Sequence, residues 1–128
     1  VTAHLTVDGQ TVRFLGKNDF GSCILSQQVT ATRTMAMTRL NGVELNVTFA
    51  APAFPDDPDV MSMPVTLVKF ALTASDGRAH DVRVNLHLPD ALCYDGSARP
   101  EMYADAFTLG GWSTAILGQR TQKRWRSG

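Results

Sequence analysis

The chain has 128 residues, of which 44% are hydrophobic and 19% are charged, the balance of one globular domain with its own core. Twelve basic and twelve acidic side chains give a formal net charge of zero, so no overall charge attracts the chain to nucleic acid or to an anionic membrane. The apolar runs are far shorter than the roughly 20 residues that span a bilayer. Val1 opens strand-like sequence without an initiator Met or a signal peptide, which predicts an excised or processed piece.

Alternation of apolar and polar residues dominates the first half of the chain and predicts antiparallel strands. Residues 4–14 are typical of strand, turn and strand, because Asp8-Gly9 supplies the positive φ angles of a two-residue hairpin turn. In a second hairpin, the turn is Asn41-Gly42 and the outgoing strand, residues 29–40, alternates through Val29, Ala31, Met35 and Met37. The return strand is predicted to bury one face, made of Val43, Leu45, Val47 and Phe49.

A proline-rich segment, residues 50–64, interrupts the strands. Four prolines exclude a helix and a central strand here and predict an ordered loop; they are Pro52, Pro55, Pro58 and Pro64. Residues 65–74 are apolar on nearly both faces, which predicts a central strand. A turn at residues 75–78 then pairs it with a strand over residues 80–88, whose inward side chains are Val82, Val84, Leu86 and Leu88.

The last part of the chain predicts turns over residues 89–100 and one helical turn near residues 100–106. Residues 106–117 predict one more strand, interrupted by Gly110-Gly111. No segment of ten or more residues has helical periodicity. The sequence therefore predicts an all-β fold, an antiparallel β-sandwich or part of one, as a single domain over residues 1–128.

No catalytic constellation is found. His80 and His87 lie seven residues apart on one predicted strand, so they point to opposite faces and cannot share a metal ion. Residues 111–115 lack the second glycine of a nucleophile elbow, and no glycine-rich phosphate loop precedes a helix. We therefore assign no catalytic and no cofactor-binding residue.

Three carboxylates in the proline-rich loop could ligate Ca²⁺, which accepts oxygen ligands in relaxed geometry. They are Asp56, Asp57 and Asp59. A solvated acidic turn, or a rim that meets another domain, is the favoured alternative. No cofactor other than this Ca²⁺ is expected.

Three further features each have a plain structural alternative. Cys23 and Cys93 could form one disulfide or remain two small buried thiols. Asn46-Val47-Thr48 fits the glycosylation pattern, a match that is common by chance. The basic tail could bind single-stranded nucleic acid, although a truncated strand or linker is favoured; it contains Arg120, Lys123, Arg124, Trp125 and Arg126.

An ordered set of segments resembles the glutaminase A family. It includes residues 6–16, 29–34 and 43–49, and the similarity is strongest in Ala51-Pro52, in Pro55-Asp56-Asp57 followed by Met63-Pro64-Val65-Thr66, and in residues 75–82. The closing Gly118-Gln119-Arg120-Thr121-Gln122 is similar to the Gly-Arg-x-x-Gln stretch of that family. Met35 and Leu67 stand where the family usually has aromatic residues.

The resemblance implies a secreted, cell-surface or periplasmic protein of two parts. Its N-terminal β-sandwich, of the supersandwich type found in some glycoside hydrolases, would precede a C-terminal helical toroid-like domain. The implied activity is hydrolysis of L-glutamine to L-glutamate and ammonia in or against the helical part, so this chain would be non-catalytic and would brace its partner domain. The interface candidates are Phe54, Asp56, Asp57, Met61, Met63 and Trp112.

Three hypotheses make different predictions. A bracing domain predicts an exposed apolar patch where the helical domain docks, with small-molecule substrate bound only through that domain. A carbohydrate-binding accessory sandwich predicts a row of exposed aromatic side chains on one sheet face, for which Trp112 and Trp125 are the best candidates. A nucleic-acid-binding module predicts salt-sensitive affinity that disappears with residues 119–128. We favour the first, and expect no nucleic-acid partner and no membrane span.

Overall fold

A computed structural model describes residues 1–16, 24–94 and 98–121 of the chain. The chain divides into two compact units, residues 1–87 and residues 88–128. The strands of the first unit are β1 (Thr2–Val7), β2 (Gln10–Leu15), β3 (Ser26–Val29), β4 (Arg33–Leu40), β5 (Val43–Ala50), β6 (Leu67–Ala74) and β7 (Val82–His87). The second unit contains β8 (Met102–Leu109) and β9 (Trp112–Gln119).

The first unit is an antiparallel β-sandwich, which confirms the predicted fold class. One sheet has the strand order β2-β1-β7, and the other has the order β3-β4-β5-β6. Alternate residues of β1 and β5 point into the space between the sheets, where burial of their apolar surface stabilises the fold. The fully buried core consists of Ala3, Leu5, Val7, Phe14, Val43, Leu45 and Val47.

Two of the three hairpin turns predicted in the first unit are confirmed. Asp8 and Gly9 have φ angles of 49° and 82°, and Asn41 and Gly42 have φ angles of 46° and 78°. Positive φ at both central residues matches the right-handed twist of the flanking strands, because the type I′ turn has that geometry. The alternation in β7 is confirmed for Val82, Val84 and Leu86, which pack against the core. The prediction is wrong for Leu88, which lies beyond the end of β7 and is 55% exposed.

The outgoing strand of the second hairpin differs from the prediction in its start and in its buried face. Residues 30–32 form a bend, so Val29 belongs to the separate strand β3, which the sequence analysis did not predict. Met35 lies opposite Thr48 and Met37 opposite Asn46, on the face turned away from the core. The two-residue turn pairs Leu40 with Val43, and this register places the even-numbered residues of β4 on the core side.

The strand over residues 67–74 lies at the edge of the four-stranded sheet, so its prediction as a central strand is wrong. It pairs with β5 from Ala50↔Leu67 to Val43↔Ala74. The predicted pairing with the following strand is also wrong, because β7 pairs with β1 in the other sheet. Residues 75–81 therefore form a crossover between the two sheets rather than a hairpin turn.

One helical turn, α1 (Pro58–Met61), interrupts the proline-rich loop, so the predicted exclusion of helix is wrong for these four residues. Pro58 occupies the first turn, where the missing N–H has no intrahelical partner to lose. Among residues 1–16, 24–94 and 98–121, no helix has the length and hydrophobicity that a membrane span requires.

In residues 88–94 and 98–121, the second unit contains a 3₁₀ turn (Asp90–Cys93) and the hairpin β8–β9. The helical turn predicted near residues 100–106 is wrong, because β8 covers most of that range. Gly110 and Gly111, predicted to interrupt one strand, are the hairpin turn between two strands, with φ angles of 57° and 83°. A single domain over residues 1–128 stays a prediction, since the sandwich itself is built by residues 2–87.

Candidate docking surface

Large apolar side chains remain exposed along residues 54–72, named here the loop–β6 segment. Phe54 is 58% exposed in the loop, and Leu67 is 63% exposed at the start of β6. The segment also exposes Met61, Met63, Val65, Phe70 and Leu72. This concentration of apolar surface in one stretch of chain is typical of a site that another protein surface covers.

The strand β6 of this segment lies at an edge of the four-stranded sheet. One edge of this strand is hydrogen-bonded to β5, and in the part of the chain that the structure describes no strand pairs with its other edge. Sheet edges are normally protected by charged residues or by a covering element. Lys69 is the single charged residue in the strand, so the loop–β6 segment has little of that protection.

The three aspartates of the loop do not come together as ligands. The Asp57 carboxylate accepts a hydrogen bond from the Val60 N–H at 3.1 Å and so caps α1, while Asp59 lies in the first helical turn. No group of three or more His, Cys, Asp or Glu side chains within residues 1–16, 24–94 and 98–121 is placed to hold a metal ion. Asp57 therefore has a structural role as the N-cap of α1.

Of the predicted interface residues, Phe54, Met61 and Met63 are exposed on the loop–β6 segment, beside the exposed Asp56 and Asp57. Trp112 belongs to the second unit and is 78% exposed. It lies opposite Leu109 beside the hairpin turn. The register of β8 and β9 places three aromatic side chains on the same face of this hairpin, and all three are exposed: Tyr103, Phe107 and Trp112.

The remaining sequence features are placed as follows. Cys93 is a free thiol whose Sγ lies 3.4 Å from the Leu117 carbonyl oxygen, and Cys23 lies outside the described residues. Residues 122–128 of the basic tail also lie outside them. Asn46 is exposed, and its side-chain amide donates to Glu44 at 2.9 Å. Hydrogen bonds from Arg39 and then from Asn46 lower the pKa of the Glu44 carboxyl.

A cluster of one histidine and two aspartates was missed by the sequence analysis. His80 precedes β7 in the crossover, and its Nε2 lies 2.9 Å from Asp76 Oδ1 while its Nδ1 lies 2.7 Å from Asp8 Oδ2. Only 8% of the His80 side chain is exposed. The three residues are separated by up to 72 positions in the chain, so no local pattern could have predicted their contact.

Backbone groups complete this cluster. The Asp81 N–H donates to Asp8 Oδ1 at 3.0 Å, and the Asp8 N–H donates to the Asp81 carbonyl at 2.9 Å. On the same crossover, the Ser75 N–H and hydroxyl both donate to the Gly42 carbonyl, at 2.7 and 2.8 Å. Three turns at one end of the sandwich are thereby tied together: the β1–β2 turn, the β4–β5 turn and the β6–β7 crossover.

The hydrogen bonds with Asp76 and then Asp8 raise the pKa of His80 above its ordinary value of 6.5. The hydrogen bond with His80 has the largest effect on the pKa of Asp8, which it lowers, and the hydrogen bond from the Asp81 N–H lowers it further. The hydrogen bond with His80 also lowers the pKa of Asp76, with a smaller effect in the same direction from the Arg78 N–H. Each shift favours the charged form, because an imidazolium donor stabilises a carboxylate and is stabilised by it.

These features define a class of protein: an antiparallel β-sandwich with an unprotected apolar edge and, in its described residues, no metal-binding group. Residues 32–125 match the family described as Domain of unknown function (DUF5127), and the chain belongs to that family. No curated protein and no solved structure matches the chain.

Proposed function

We propose that this chain is a non-catalytic β-sandwich domain that braces a C-terminal helical domain of the same polypeptide. The observation that carries the proposal is the exposed apolar surface of the loop–β6 segment at a sheet edge. Burying a fully exposed side chain the size of Leu or Phe contributes about 1.5–3 kcal/mol, so a partner that covers several of them gains substantial free energy.

The parent protein, in this proposal, is a secreted, cell-surface or periplasmic hydrolase like those of the glutaminase A family, converting L-glutamine to L-glutamate and ammonia. The support is the ordered resemblance from residue 6 to residue 122. The catalytic residues and the substrate pocket would then belong to the helical domain, and this chain would contact substrate only through it.

The test compares the 128-residue chain with the longer polypeptide that contains the helical domain. We expect ammonia release from L-glutamine only with the longer polypeptide. A double variant in which serine replaces both Phe54 and Leu67 is expected to lower the thermal stability and the activity of the longer polypeptide. The reason is that apolar anchors at an interface contribute about 1 kcal/mol or more each. In the 128-residue chain, the same two substitutions should change the free energy of unfolding by on the order of 0.5 kcal/mol per site or less.

Val29→Ser is the matched control, because Val29 is 67% exposed on β3, the strand at the opposite edge of the same sheet. It should leave the longer polypeptide unchanged. Ammonia release by the isolated 128-residue chain would contradict the proposal. So would equal effects of Val29→Ser and of the Phe54 and Leu67 pair.

The second candidate function is binding of carbohydrate, favoured by the shared exposed face of Tyr103, Phe107 and Trp112. Aromatic faces present broad apolar surface on which sugar rings stack. If this function holds, Trp112→Ala should weaken retention of the chain on insoluble cellulose or chitin by about tenfold, equivalent to ~1.4 kcal/mol. Val29→Ala is the control, and equal retention of all three proteins would rule this function out.

A further inference from the structure

We propose that His80, Asp8 and Asp76 form a proton-operated clamp, which fixes the crossover between the two sheets when the imidazole carries two protons and releases it when the imidazole carries one. This inference concerns residues 1–87 and does not depend on the proposed bracing function. It follows from the position of His80 between two carboxylates that belong to different turns.

The geometry places one carboxylate oxygen within hydrogen-bond distance of each ring nitrogen of His80. Carboxylates only accept hydrogen bonds when ionised, and Asp8 and Asp76 approach opposite nitrogens of the same ring at 2.7 and 2.9 Å. Imidazolium satisfies both, whereas neutral imidazole has one N–H and one lone pair. In the neutral form, one carboxylate therefore faces a lone pair instead of a donor. The His80 side chain is only 8% exposed, whereas those of Asp8 and Asp76 are 46% and 33% exposed, so a carboxylate that loses its donor can turn to water and release the crossover.

The charges around His80 also favour the imidazole form that carries two protons. The two carboxylates are the charged groups in hydrogen-bond contact with the imidazole, and they repel each other through it. Arg78 and Asp81 of the crossover contribute backbone N–H groups to Asp76 and Asp8. The β4–β5 turn contributes Asn41 and Gly42, which are uncharged. Loss of the proton thus leaves two negative charges without the cation between them.

The clamp acts on an element that joins both sheets. Residues 75–81 connect the end of β6 to the start of β7, and β6 and β7 lie in different sheets. Asp8 accepts a hydrogen bond from the Asp81 N–H, next to the start of β7. Asp76 lies beside Gly42, next to the end of β6. Opening the clamp would remove the side-chain link between these two ends, and the amide hydrogens of Asp8 and Asp81 would report the change.

The experiment measures the His80 titration by NMR and the hydrogen exchange of the Asp8 and Asp81 amides in the 128-residue chain, from about pH 6 to about pH 9. The pKa of His80 should lie above its ordinary value of 6.5. After correction for the intrinsic exchange rate, protection of both amides should fall as pH rises, by about tenfold for each unit by which the folded-state pKa exceeds the unfolded-state pKa. His80→Gln should abolish this pH dependence, because glutamine does not titrate, and His87→Gln should retain it.

Asp8→Asn and Asp76→Asn provide a second measurement that does not require a His80 variant to fold. Each removes one carboxylate, so each should shift the His80 titration to lower pH. The clamp is overturned if the pKa of His80 is not above 6.5, if protection of the two amides is independent of pH, or if neither aspartate variant moves the His80 titration.

Discussion

Replacing Leu45 with alanine is expected to lower the free energy of unfolding by about 2–5 kcal/mol. Leu45 is fully buried near the centre of β5, opposite Thr38 on one side and Leu72 on the other. The substitution removes apolar contacts with both sheets and leaves a cavity that two paired strands cannot collapse to fill. Urea unfolding of the 128-residue chain, followed by far-ultraviolet circular dichroism, measures the change.

Leu67→Ala is the matched control, since it removes the same atoms from a side chain that is mostly exposed. Its effect should be on the order of 0.5 kcal/mol or less. The difference between the two variants isolates the contribution of burial. Comparable losses from both would mean that β6 is covered in the isolated chain, and would contradict the exposed edge on which the proposed function rests.

Gly42→Ala is expected to destabilise the sandwich by more than Gly77→Ala, although both glycines have positive φ angles, of 78° and 73°. A Cβ at position 42 would lie 2.6 Å from Asp76 Oδ2, whereas a Cβ at position 77 would meet no atom within 4 Å. Both variants lose about 1–2 kcal/mol to the left-handed backbone conformation. Only the first also displaces the Asp76 carboxylate, and with it the hydrogen bond to His80.

A double-substitution cycle separates the two contributions. With Asp76→Ala already present, the added loss from Gly42→Ala should fall toward that of Gly77→Ala, because the carboxylate is gone and only the Cβ at position 76, 3.2 Å away, remains close. Urea unfolding of the four proteins measures the coupling. If Gly42→Ala destabilises the chain equally with and without Asp76, the close approach at this turn has no energetic consequence.

The cluster also gives the stability of the chain a defined dependence on pH. The pKa of His80 is raised from 6.5, so its contribution is complete below that pH and is lost as the pH rises through the raised folded-state pKa. The pKa values of Asp8 and Asp76 are lowered from 3.8, so their contributions are complete above that pH and are lost as the pH falls through the lowered values. The cluster therefore stabilises the fold most between these limits, on the acidic side of neutrality.

The local patterns of the sequence by themselves determined β1, β2, β5 and β7 and the tight turns at Asp8-Gly9 and Asn41-Gly42. The Asp8-Gly9 and Asn41-Gly42 pairs specify their hairpins because few other residues accept two successive positive φ angles. The alternation in β5 and β7 specifies which faces are buried, because successive side chains of a strand point to opposite sides. These are short-range properties, so they can be recognised without knowledge of the fold.

Only the tertiary structure decided how the strands are shared between the two sheets. Residues 67–74 have the composition of a central strand, but pairing occurs on one side only, because the crossover sends β7 to the other sheet. The inward face of β4 depends on hairpin register rather than on its methionines. The contact of Asp8 with His80 joins positions 72 residues apart, and such contacts depend on how the sheets stack, which local propensity does not encode.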